Sequence, residues 1–187
     1  MTTLLDVPAV RETLVRLNVD QYHRLCEAGI VSESTELLSG VVVAKMGKSP
    51  RHTWTVEFLA EWFRSTAGSD CVVRVEQPLT LSDSEPEPDI AVVRGARSDF
   101  RHRHPTVAEL VIEVAFSSLE IDRAKAAIYG AAGVPEYWLV MPQSRTVEIY
   151  SRPATDGYAI VESCTAERHQ TIQFGGHRLS IDELFAG

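Results

Sequence analysis

The chain has 187 residues, 44% of them hydrophobic, enough apolar material for one substantial core; a single domain with a short N-terminal helical extension is expected over residues 1–187. A formal charge of −8 opposes nonspecific attraction to a polyanion, so any contact with nucleic acid has to be local. Three scattered cysteines without CxxC spacing (Cys26, Cys71, Cys164) argue against a disulfide framework or a thiolate zinc site, and no apolar run approaches the roughly 20 residues a membrane helix needs, so a soluble, cytoplasmic protein is expected.

In chain order, residues 18–28 (NVDQYHRLCEA) predict a short helix with Asp20 as a possible cap and Gly29 as its end. Residues 36–43 predict a strand pair turning at Ser39-Gly40, and the GKSP segment after Met46 a loop. Trp54, Phe58, Leu59, Trp62 and Phe63 recur at helical spacing across residues 51–65, the pattern of an amphipathic helix whose aromatics, tryptophans included, press onto a sheet. Strand pieces are expected at 71–75 and 79–81, and buried strands at 90–93, 110–114 and 137–140. A helix at 122–132, ended by Gly133, separates the last two and suggests a βαβ unit. A terminal hairpin (147–150 with 158–162) and a closing helix (180–185) complete the reading.

Two acids stand out against this frame. Asp89 opens the apolar strand of PEPDIAVV, and Glu113 lies inside LVIEVAFSS. A carboxylate within an apolar strand is costly unless paired, protonated or bound to metal, and a rigid, partly desolvated pair of carboxylates is what a hard divalent cation needs. Structurally, Pro-Asp before a strand is also ordinary turn chemistry. Residues 94–104 (RGARSDFRHRH) hold four arginines, two histidines and one acid. Arg97, Arg101 and Arg103 could track phosphates there, or the segment could be a solvated loop.

The ordered segments VDQYHRLCEAGIV, TELLSG, SPRH, EPEPDIAVV, LVIEVAFSSLE, DRAK and YGAAGVPEYWLV together resemble the Uma family of restriction endonucleases, within the PD-(D/E)XK nuclease superfamily, over nearly the whole chain. The resemblance implies a restriction-endonuclease-like α/β fold, a mixed sheet flanked by helices. It implies Asp89 as the metal-binding acid of the PD step and Glu113 as the acid of the second half-motif, with Mg²⁺ or Mn²⁺ as cofactor. The usual strand lysine two residues beyond the Glu is absent, because position 115 is Ala115. The family pattern also carries a lysine four residues before the Tyr of YxxAGVPEYW, which assigns the catalytic role to Lys125. The implied activity is metal-dependent hydrolysis of DNA phosphodiester bonds, with a homodimer as the working form.

Four further residues have open readings. Glu36 is either a strand-edge surface charge or an approach to the metal, and His52 either bonds locally at a helix start or acts as a ligand. Ser117 could bond a phosphate or a bound water, or it and Ser118 could cap the following turn. Asp122 could orient Lys125 or form an ordinary surface ion pair. The alternative function is a non-catalytic nuclease fold that binds nucleic acid or a protein partner.

Overall fold

The structure, a computed structural model, describes residues 4–186. After a short 3-10 turn at Leu4–Asp6, helix α1 (Pro8–Glu12) fully buries none of its side chains. Helix α2 (Val19–Glu27) starts at Asn18, not Asp20. Asn18 accepts from the Gln21 amide and Gln21 answers with its side chain, a reciprocal cap that leaves Asp20 in the first turn. Strands β1 (Thr35–Leu38) and β2 (Val41–Ala44) form an antiparallel hairpin whose turn residues, Ser39 and Gly40, both have positive φ. Gly40 cannot be replaced cheaply, since a Cβ there would stand 2.6 Å from that of Arg16.

The core is a six-stranded mixed sheet of order β3-β4-β5-β6-β7-β8, formed by β3 (Cys71–Val75), β4 (Ile90–Arg94), β5 (Leu110–Val114), β6 (Glu136–Met141), β7 (Thr146–Ala154) and β8 (Gly157–Thr165). Only β5 and β6 are parallel, which demands a crossover; α4 (Leu119–Ala131) supplies it. Alternation along the strands sorts the apolar residues into two layers. Ile90, Val92, Ile112, Val114, Trp138 and Val140 face helix α3 (Pro50–Thr66), together with a second hairpin, β9 (Thr171–Phe174) and β10 (His177–Ser180), and the short α5 (Ile181–Leu184). Ala91, Val93, Val111, Ala115, Tyr137 and Leu139 face α4, which presses Ala126 and Tyr129 onto them. α4 runs so close to β8 that a Cβ on Gly130 would meet the Gly157 carbonyl oxygen at 2.0 Å.

Several expectations are corrected. Residues 79–81 are not a strand; Leu79 and Leu81 are buried, but their amides turn back to Pro86 and Ser84. The hairpin of β7 and β8 is longer than expected and forms one side of the main sheet, and the β9–β10 hairpin had no counterpart in the sequence reading. α4 begins at Leu119, three residues early. Among the described residues, no helix is long and apolar enough to cross a membrane.

Candidate active site

One end of the sheet carries a cleft of about 360 Å³, bounded by the start of β4, the end of β5, the N-terminal halves of α3 and α4, and the loop after β2. Because side chains alternate, Glu113 shares its face with Val111 and Ala115 and so points to the layer that α4 covers. That placement explains how position 115 can be alanine: the ammonium arrives from the helix above the same face. Lys125 Nζ lies 2.9 Å from Glu113 Oε1, 3.1 Å from Glu36 Oε2 and 3.7 Å from Asp122 Oδ1.

Asp89 is fixed from two sides. The Val114 amide donates to its Oδ2 at 2.8 Å, and His52 Nε2 stands 3.1 Å from the same oxygen. An ionised carboxylate oxygen only accepts, so in this contact Nε2–H is the donor. Both protein contacts fall on Oδ2, which leaves Oδ1 for the cleft. The Asp89 amide in turn reaches Glu113 Oε2 at 3.4 Å, so the two acids are coupled through backbone as well as space.

The electrostatics follow from burial. Four carboxylates (Glu36, Asp89, Glu113, Asp122) and one ammonium are each under 8% exposed. Burial, opposed by Lys125 and reinforced by Asp89, Asp122 and Glu36, pushes the Glu113 carboxyl up to about 8. For Lys125, burial works against the charge, but Glu113, Glu36 and Asp122 outweigh it and raise its pKa, so it stays an ammonium. Asp122 is raised as well, chiefly by burial. Glu113 and Lys125 therefore shift the same way for different reasons, the acid chiefly through burial and the ammonium through the carboxylates around it.

Every central residue expected from the sequence reaches this cleft. Asp89, Glu113 and Lys125 converge, and Glu36 is no surface charge: it is buried, accepts from the Glu87 amide at 2.7 Å and pairs with Lys125. His52 orients Asp89, Ser117 is exposed on the lining, and Asp122 is buried beneath Lys125. Ser118 makes no helix cap; its hydroxyl donates to Asp122 instead. Arg97, Arg101 and Arg103 do not line the cleft. They are exposed beyond the opposite end of β4.

Three participants were missed. Tyr129 donates to Glu113 Oε1 at 2.9 Å; its spacing of four from Lys125 on one helix face was the available signal. Lys45 and Lys48, in the loop read only as a connection, stand on the lining and pair with Glu87 at 2.7 Å and Glu76 at 2.6 Å.

The donor set suits a hard divalent cation in kind, since it is all carboxylate oxygen with negative charge in excess. As the side chains stand, no three His, Cys, Asp or Glu among the described residues surround one point closely enough to hold an ion. Lys125 occupies the space between Glu36 and Glu113, so Asp89 and Glu113 are the carboxylates that would hold such an ion.

No functionally curated protein matches the chain. Among solved structures, it is similar to one titled as a putative nuclease belonging to DUF820 from Anabaena variabilis, with a TM-score of 0.74, 19% identity, and coverage of 91% of this chain and 98% of that one. The profile of the Uma2 family, described as "Putative restriction endonuclease", matches residues 19–182, and the chain belongs to that family.

Proposed function

We propose that the protein is a metal-dependent endodeoxyribonuclease that hydrolyses phosphodiester bonds at the Asp89–Glu113–Lys125 cleft, acting in the cytoplasm on DNA and working as a homodimer when both strands are cut. The observation that carries this reading is the 2.9 Å contact of Lys125 with Glu113, by which a helix restores the ammonium that Ala115 removes from the strand. Asp89 and Glu113 are the residues to hold Mg²⁺ or Mn²⁺. Such an ion, when bound, would lower the pKa of its water and neutralise charge on the scissile phosphate.

The protein's own groups do the rest. The Val114 amide and His52 lock the Asp89 carboxylate in one orientation. Lys125 cannot serve as a base, because its surroundings keep it cationic; its role is to hold the attacking water by hydrogen bonding and to stabilise charge gathering on the phosphate oxygens. Tyr129 and Asp122 hold Glu113 and Lys125 in register. Lys45 and Lys48 on the lining would receive the flanking phosphates.

One observation favours a second reading, a nuclease fold that binds nucleic acid or a partner without cutting it: Lys125 already fills the space among three carboxylates. Calorimetry with Mn²⁺ on wild type, Glu113→Ala and the size-conserving Glu113→Gln, followed by cleavage assays on plasmid and single-stranded DNA, separates the two. Binding and cleavage lost together in both variants support the nuclease. A wild type that takes up no Mn²⁺ overturns it in favour of binding alone.

A further inference from the structure

Beside the cleft, at the same end of the sheet, lies a second cavity of about 400 Å³ formed by the first turns of α3, the turn joining β6 to β7, and the end of α5. Gln143 lines both cavities, so they adjoin. The lining combines Arg51, Trp54, Arg145 and Gln143 with the apolar Leu184 and Phe185, and among the described residues no carboxylate contributes to it. Arg145 has a long contact with Asp182, 3.6 Å, which an incoming phosphate would have to compete with.

Trp54 does not behave as the core residue its helical spacing suggested. It is 45% exposed, while Phe63 on the same helix and Trp138 beneath are fully buried. Its indole stacks on Phe58, with centroids 5.6 Å apart and planes 17° from parallel, so one face is braced while much of the residue stays open. An exposed, braced indole that shares a cavity with two arginines and adjoins the cleft offers a flat face and cationic groups to something flat and anionic. Nucleotides have that chemistry: a base that stacks on an aromatic face and a phosphate that guanidinium groups receive.

We propose that this cavity is a nucleotide-stacking subsite, in which an unpaired base lies on Trp54, its phosphate meets Arg51 and Arg145, and the strand passes Gln143 into the cleft. The inference rests on the nuclease reading and narrows its substrate. Bases inside a duplex are already stacked on both faces, so an indole accepts one only from a single strand, a frayed end or a flap. The substrate class is therefore DNA with single-stranded character next to the scissile bond.

The test titrates an eight-nucleotide oligothymidylate into the full-length protein in EDTA while reading tryptophan fluorescence, with Trp54→Ala, Trp54→Phe and Arg51→Ala in parallel. Plasmid nicking with Mn²⁺ and light scattering are measured on the same preparations. The expected result is quenching on binding, affinity about tenfold weaker in Trp54→Ala, near-normal affinity in Trp54→Phe, and a salt dependence shallower by about one ion in Arg51→Ala. Equal affinity in Trp54→Ala and wild type, or no binding by wild type, overturns the subsite. So does a Trp54→Ala protein that differs only in oligomeric state, which would make the patch an interface between copies. Nicking without oligonucleotide quenching sinks the subsite and leaves the nuclease; Trp54-dependent quenching without nicking does the reverse.

Discussion

The cleft at one end of the central sheet and the segment at the other carry opposite charge and hold it in opposite ways. At the cleft end, Glu36, Asp89, Glu113, Asp122 and Lys125 are buried and each is fixed by another member or by a backbone amide. At the far end, four strand steps of about 3.3 Å along β4, the arginine-rich segment is exposed; Arg94 pairs with Asp70 and Glu109, while Asp99 turns inward to accept the Ala96 amide. The basic end has more local charge in the sequence, yet the chemistry proposed above lies at the acidic end. Water screens the arginines and leaves them adaptable, whereas desolvation makes each charge in the cleft depend on its neighbours. Charge density in a sequence marks where a polyanion can be attracted; buried charge marks where something can be done to it.

The largest expected effect comes from removing the buried ammonium of the cleft. Lys125→Met leaves Glu36, Glu113 and Asp122 facing each other without a counter-charge, and losing one partner of a buried ionic cluster costs about 3–5 kcal/mol. Denaturant midpoints should fall accordingly, and plasmid cleavage should disappear even at Mn²⁺ concentrations that restore the fold. A Lys125→Met protein as stable and active as wild type would erase the contrast between the two ends.

The sequence makes the acidic end partly legible for a physical reason. Buried strands write themselves as apolar runs, so an acid inside one, such as Glu113, is conspicuous, and alternation assigns its face. Lys125 is not conspicuous in that way: on composition it is one more helix lysine, and only the resemblance singled it out. Glu36 stayed open between two readings because a four-residue strand gives too short a pattern to tell an edge from a lid; its burial depends on α4 lying over it, a tertiary fact. The β9–β10 hairpin escaped because TIQF and HRLS each contribute one fully buried residue, Ile172 and Leu179, too little periodicity to register. Trp54 was assigned to the core because helical spacing cannot say where the sheet beneath the helix ends.

The next effect is on pH. Glu113 is raised to about 8 in the folded, metal-free protein from an ordinary value near 4.5, so the folded state holds its proton more tightly than the unfolded chain. The corresponding stability is fully present below about 4.5 and is lost as pH rises toward about 8. Unfolding measured in EDTA should therefore show wild type weakening from pH 5 to pH 8. Glu113→Gln, which keeps the shape and can still accept from Lys125 and Tyr129, should show a flatter profile across that window. Parallel profiles would mean that Glu113 is ionised throughout and that the cluster is better compensated than its burial implies.

The smallest effect belongs to the basic end, and it decides whether that end takes part in binding. Replacing Arg97, Arg101 and Arg103 together by Ala should move stability by no more than about 0.5 kcal/mol, as expected for exposed positions away from any buried network. If the segment tracks phosphates outside the cleft, DNA affinity should fall and its salt dependence should become shallower, with the rate at saturating DNA unchanged, because these contacts position the duplex without touching the reacting bond. Unchanged affinity and salt slope would make residues 97–103 a solvated loop. A lower rate at saturation would require the DNA to be held at both ends of the sheet for the cleft to act, making the two regions parts of one machine.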